Sequence, residues 1–164
     1  MYRMGVDEER LHYAEDFGLL FEQAGGSRML GRVLGVLLTS DPPERSAEEL
    51  AGELRASRGS ISQATRTLVQ MGMVRRVSRP GERRDYFRVR PNAWQETTRQ
   101  QMSLIGVFQE MAERGLGFLG PGAREAREGL EEMRDFYAFW EKELPAVLER
   151  WEKRSESRGA KRKE

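Results

Sequence analysis

The sequence predicts a mainly α-helical fold interrupted once by a small β-hairpin, and three observations carry that reading. Apolar residues recur at steps of three and four over most of the 164 positions. Strand-like alternation appears only around residues 73–90, on either side of the turn sequence Arg79-Pro80-Gly81-Glu82. Charged residues make up 34% of the chain, a share that suits helices with long solvated faces.

Each element follows in order. Asp7 to Ala24 predicts a first helix, with Leu11, Ala14, Phe17, Leu20, Phe21 and Ala24 on one stripe, ended by Gly25-Gly26. Ser27 caps a second helix to about Thr39, in which Leu30, Val33, Leu34, Leu37 and Leu38 form the apolar face and Gly31 and Gly35 allow close helix packing. Pro42-Pro43 forbid helix, and Ser46-Ala-Glu-Glu49 has the form of a capping box opening a third helix over about 46–55. Ser57 then caps a fourth, from Arg58 to Met71, so two short helices meet at a tight turn, a helix-turn-helix. Its inner face is Ile61, Ala64 and Leu68, with Val69 or Met71. Strands over 73–78 and 85–90 follow, Phe87 and Val89 pointing inward and Tyr86, Arg88 and Arg90 outward. A helix-turn-helix followed by a basic-tipped hairpin is a winged helix-turn-helix.

Asn92 opens a long helix to about Arg114, and LGFLGPG at 116–122 breaks it. A last helix from about Ala123 towards Arg154 carries the seam Leu130, Met133, Tyr137, Trp140, Leu144, Val147 and Trp151, with a kink or restart at Pro145. The expected organisation is therefore N-terminal dimerisation and support helices over 1–40, a winged helix over 41–91, C-terminal dimerisation helices over 92–155, and a disordered basic tail over 156–164.

Composition excludes several function classes. With no cysteine there is no disulfide framework, thiolate zinc site or catalytic thiol. His12, the single histidine, has neither a paired acid nor a nucleophile nearby in sequence, and neither a P-loop nor a GxGxxG occurs; GPG at 120–122 is a helix break. Neither catalysis, nor a metal, nor a cofactor is expected. MYRMGVDEER lacks the apolar core of a leader, and VLGVLL at 33–38 is far shorter than the roughly 20 residues a membrane span needs. A cytoplasmic location with no membrane partner is expected.

A net charge of +1 hides a strong asymmetry. Residues 1–50 carry 5 bases and 10 acids, net −5; residues 51–100 carry 11 and 4, net +7; residues 101–164 carry 12 and 13, net −1. Ten arginines lie between Arg55 and Arg90, and there is no acid from Ser57 to Arg79. An acid-free, small and polar helix face suits a polyanion. The candidate recognition-helix residues are Ser57, Arg58, Gly59, Ser60, Ser62, Gln63, Arg66 and Thr67. The helix N-terminus is a natural phosphate site, Gln matches adenine, Arg matches guanine, and Thr offers a methyl to thymine. At the wing, Arg79, Arg83 and Arg84 suit a narrow minor groove.

The run SAEEL-AGEL-RASRGSISQATRTL-VQMGMVRRV with PGERRDYFRV, from Ser46 through Val89, resembles the MarR superfamily of bacterial transcriptional regulators, and SRGSIS looks closest to its GbsR-like branch. The resemblance implies a homodimer with interlocked terminal helices and two winged helices on successive major grooves of a pseudo-palindromic operator in double-stranded DNA. Two positions depart from the pattern. Arg55 stands where glycine is frequent in the turn, which requires either a left-handed conformation or a different turn. Glu82-Arg83-Arg84 replaces the wing's Asp-x-Arg, leaving Arg84 the wing arginine.

Leu11 and Phe17, with Leu130, Met133, Tyr137, Trp140, Leu144 and Trp151, are the candidate dimer contacts, because so long an apolar stripe exceeds the partner surface of its own monomer. Phe108, Tyr137 and Trp140 are candidates for a small-molecule effector pocket, whose aromatic faces would suit a quaternary ammonium as GbsR-like relatives suggest; core and interface is the alternative for the same rings. The expected function is a sequence-specific DNA-binding regulator, a repressor. The rival readings are a winged helix used for protein contact and a nonspecific nucleic-acid binder.

Overall fold

The computed structural model describes residues 2–161, with side chains described over 7–156. The elements are α1 (Tyr2–Gln23), α2 (Arg28–Leu38), β1 (Arg45–Ser46), α3 (Ala47–Glu53), α4 (Arg58–Gln70), β2 (Val74–Ser78), β3 (Asp85–Val89), α5 (Ala93–Phe118) and α6 (Arg124–Lys161). They gather into two compact units, Met1–Thr97 and Thr98–Glu164.

In the first unit α2 is the central helix. Val33, Leu34, Val36 and Leu37 are all at most 3% exposed and pack with Leu50, Ile61, Leu68 and Phe87. Glycine lets α1 lie directly on α2: a Cβ at Gly31 would sit 2.2 Å from the Phe17 carbonyl oxygen, and one at Gly35 would sit 2.8 Å from Ala14 Cα. Ala14 is fully buried at this crossing, and Phe17 and Phe21 pack beside it. Leu20 departs from the expected stripe, being 55% exposed. α1 also begins earlier than Asp7, since a lone Gly5 costs a helix only about 1 kcal/mol. Ser27 has the extended backbone of a cap but makes no side-chain capping bond.

The capping box of α3 is complete. Ser46 Oγ accepts from the Glu49 amide at 3.2 Å, and Glu49 Oε2 accepts from the Ser46 amide at 2.6 Å. The sheet has order β1-β3-β2, all antiparallel, with Val74 opposite Val89 and Arg76 opposite Phe87. β1 is an addition to the expected hairpin: Arg45 and Ser46 pair with Phe87 and Tyr86. Two residues carry no period, so nothing in the sequence marked them. Tyr86 corrects the expected outward placement. It is 7% exposed because the Arg79 guanidinium covers its ring, 3.9 Å from the centroid, while Glu82 accepts its hydroxyl proton.

Asn92 precedes α5 with φ 59, a left-handed conformation that asparagine tolerates, in place of the extended backbone of an N-cap. Ala93, at the start of α5, is buried in the first unit's core. The helix continues to Phe118, past the expected end at Arg114, so the break falls within 119–123. In the second unit α5 and α6 touch in antiparallel register: Leu130 packs on Gly115, Tyr137 stacks on Phe108, and Arg99 pairs with Glu152. Pro145 lies inside α6 without ending it. α6 runs to Lys161; of the tail expected over 156–164, residues 162–164 lie outside the described residues.

Candidate nucleic-acid interface

The sequence places Ser57 at the start of α4, and the structure gives its hydroxyl a structural task. Ser57 Oγ accepts from the Ser60 amide at 3.1 Å and lies 2.8 Å from Ser60 Oγ, while the Ile61 amide donates to the Ser57 carbonyl at 3.1 Å. Of the four amides a helix N-terminus leaves unpaired, those of Arg58 and Gly59 have no acceptor among the described residues. They open outward together with the Arg58 side chain, which is exposed.

Further along α4, Ile61, Ala64, Thr65 and Leu68 turn inward. Ser62, Gln63 and Arg66 are exposed and Thr67 is half-buried. Thr65 is the polar residue on the buried side; its hydroxyl donates to the Ile61 carbonyl at 2.9 Å, which satisfies it inside the helix. The turn leading to α4 contains Arg55 at φ 49, the left-handed alternative of the two that its identity allowed. Arg32 supports this turn from α2, donating to the Leu54 carbonyl at 2.9 Å and to Glu15 of α1 at 2.6 Å.

Between α4, the N-terminus of α3 and the hairpin lies a cleft of about 460 Å³. Arg58, Ser62 and Arg66 line it from α4, Glu48 from α3, and Arg76, Arg84, Asp85 and Phe87 from the hairpin. Arg76 was not among the sequence candidates; its register opposite Phe87 is what brings it here. Two of the cleft's arginines carry acidic partners, Arg84 with Glu48 at 3.3 Å and Arg76 with Asp85 at 3.4 Å. Arg58 and Arg66, like Arg55, Arg75, Arg83 and Arg90, have no acid within 4.0 Å among the described residues. The basic face is therefore a set of largely uncompensated cations around a groove.

The wing turn has Pro80 followed by Gly81 at φ 81, and the Glu82 amide donates to the Arg79 carbonyl at 3.1 Å, the pattern of a type II turn. Arg83 and Arg84 are exposed beyond it. Arg79, the third wing candidate, is engaged by Glu44, at 3.2 Å, and by the Tyr86 ring, with its side chain 37% exposed.

The aromatic candidates of the second unit cover one another. Phe108 and Tyr137 stack at 4.8 Å with 13° between planes, which fills the space a ligand between them would need. Trp140 meets Phe136 and Phe139 edge-on and stays 37% exposed. Leu130 and Tyr137, counted from sequence as dimer contacts, are engaged within the chain, whereas Trp140 and Trp151 are open. In the first unit Leu11 is exposed and Phe17 half-buried on α2. Among the described residues no group of three or more histidine, aspartate or glutamate side chains is placed to hold a metal ion, and no helix is long and apolar enough to cross a membrane.

A family model described as MmpR5-like MarR family transcriptional regulator matches residues 92–154. Over 153 residues the chain is 38% identical to the HTH-type transcriptional regulator MmpR5 of Mycobacterium tuberculosis, covering 93% of each. The chain belongs to the MarR family. It is a MarR-family transcriptional regulator, and not an enzyme. Among solved structures this MarR regulator is similar to a crystal structure of a transcriptional regulator, with a TM-score of 0.76 and 38% identity over 88% of this chain and 99% of the other. A more distant likeness is to MepR of S. aureus bound to an oligodeoxyribonucleotide, with a TM-score of 0.42 and 18% identity over 89% and 94%.

Proposed function

We propose that the chain is a homodimeric repressor that reads a pseudo-palindromic operator in double-stranded DNA. The observation that carries this is the cleft beside α4, where Arg58, Arg66 and the free amides of Arg58 and Gly59 have no internal partners. In this reading α4 enters the major groove, with Ser62, Gln63, Arg66 and Thr67 facing base edges and Ser57 to Ser60 at a phosphate. Arg83 and Arg84 reach the flanking minor groove.

Dimerisation is supported by the apolar residues that α5 and α6 leave exposed, among them Leu104, Val107, Met111, Phe118, Trp140, Val147 and Trp151. Few monomers leave so many large apolar side chains on two helices uncovered. A dimer must hold its recognition helices about 34 Å apart to meet half-sites one turn apart. An effector that favours another spacing would release the DNA. Within the family, the GbsR-like likeness of SRGSIS points to a quaternary ammonium as effector, with the open face of Trp140 the available ring. The protein would act in the cytoplasm, where its operator lies.

The test is fluorescence anisotropy on the duplex upstream of the protein's own gene and on a shuffled duplex of equal composition, with sedimentation equilibrium for the dimer. A preference on the order of 10³ with a steep salt slope is expected. Equal, weak binding to both would favour a protein-contact role for the basic face or nonspecific binding.

A further inference from the structure

Glu44, in the loop between α2 and β1, is a largely buried acid next to the basic face, its side chain 18% exposed. Its Oε2 accepts from Arg79 Nε at 3.3 Å and Nη2 at 3.2 Å, and its Oε1 lies 3.8 Å from Arg88 Nη1. The guanidinium held in this way lies flat over Tyr86, 3.9 Å from the ring centroid. Tyr86 in turn donates its hydroxyl proton to Glu82, whose other oxygen is 4.0 Å from Arg79 Nη1. Arg79, Tyr86 and Glu82 thus close a ring around the wing turn, and Glu44 anchors that ring through Arg79. Arg83 and Arg84 are the next residues along the chain.

We propose that Glu44, Arg79, Tyr86 and Glu82 form a latch that pre-orders the wing, so that Glu44 is a positioning residue for Arg83 and Arg84. The proposal rests on the DNA-binding reading above. Ordering a short loop with two long arginines costs conformational entropy on binding, and a loop already ordered in the free protein avoids much of it. The latch is built from charged and aromatic contacts. It combines a doubly donating guanidinium on a carboxylate, a cation over an aromatic face, and a phenol donating to a carboxylate. Donation to Glu82, burial and the Glu82 charge all hold the Tyr86 hydroxyl above its ordinary titration range, so it remains a donor well past neutral pH.

The latch predicts a sign opposite to that of simple electrostatics. Removing an acid beside a polyanion site should strengthen binding if charge alone mattered; removing Glu44 should weaken it. Glu48 provides the contrast. It is 63% exposed, belongs to no part of the ring, and among the described residues makes one ion pair, with the equally exposed Arg84. Its loss frees that arginine for DNA.

The experiment uses the full-length protein, Glu44→Gln, Glu48→Gln, Arg79→Gln and the Glu44→Gln/Arg79→Gln double variant. Amide hydrogen exchange is followed over 79–85 without DNA, and anisotropy is measured on the duplex that the wild type prefers, across a salt series. Glu44→Gln is expected to speed exchange in 79–85 while leaving α4 protected, to raise Kd on the order of tenfold, and to lower the salt slope by about 1 to 2. Glu48→Gln should leave exchange unchanged and lower Kd by about two- to threefold, the range of an exposed pair. The double variant should bind no more weakly than Arg79→Gln, because the two residues act through one ring. Tighter or unchanged binding by Glu44→Gln, or unchanged exchange over 79–85, would overturn the latch. A wild type that binds no duplex would remove the DNA reading itself, and with it the latch's purpose, whatever the exchange shows.

Discussion

Arg55 is where residue identity and backbone geometry conflict most directly. At φ 49 a side chain with a Cβ costs about 1–2 kcal/mol relative to a right-handed conformation, and glycine returns part of that gain as unfolded-state entropy. Arg55→Gly is therefore expected to stabilise the protein by about 0.5–1 kcal/mol, read as a higher midpoint in urea unfolding. A lower midpoint would mean that the exposed Arg55 side chain contributes more than its backbone costs. At this scale the sequence showed what helical period can show. Arg58, Gln63 and Arg66 share an outer face because their spacing requires it, and the structure leaves all three exposed. Period says nothing about contacts across 35 positions, so the pairing of Glu44 with Arg79 and the burial of Tyr86 were not legible.

Elements with chemical punctuation were legible, and those without it were not. The α3 capping box stands in the sequence as Ser46-Ala-Glu-Glu49 and forms as expected, while β1 is two residues long and exists only because β3 lies beside it. Burial by itself pushes the Glu49 carboxyl up, but hydrogen bonds from the Ser46 amide and hydroxyl, with attraction to Arg45 and Arg79, leave it below its ordinary value. A lowered folded-state value means stability that is present above the unfolded glutamate value of about 4.3 and fades as pH falls below it. Ser46→Ala should cost about 1 kcal/mol at pH 7, and the deficit should narrow on acidification below that value, checked by urea unfolding in both conditions. A deficit unchanged by pH would show that Glu49 contributes nothing through its charge. The α1–α2 crossing gives a second test. Gly31→Ala places a methyl 2.2 Å from backbone and should cost about 3 kcal/mol or more, whereas Gly52→Ala meets nothing within 4 Å in α3 and should gain about 0.5–1 kcal/mol. Equal effects in thermal unfolding would contradict the close packing.

For the whole molecule, charge distribution carried more than net charge. A chain at +1 concentrates its net positive charge in the segment that forms α4 and the wing, and its net negative charge in the helices before it. That asymmetry, with the helix-turn-helix and the hairpin, made the winged-helix half legible. The second half showed only a heptad stripe, which serves equally inside a chain or between two. The structure divides it: Leu130 and Tyr137 turn to α5, while Trp140, Val147 and Trp151 stay open. The central claim is that α4 reads base sequence, and the most direct test is the affinity of Arg66→Ala for the preferred duplex and for its shuffled counterpart. A loss of about 1–3 kcal/mol is expected on the preferred duplex and a much smaller loss on the shuffled one. Equal losses on both would make Arg66 a phosphate contact and contradict base reading by this face of α4.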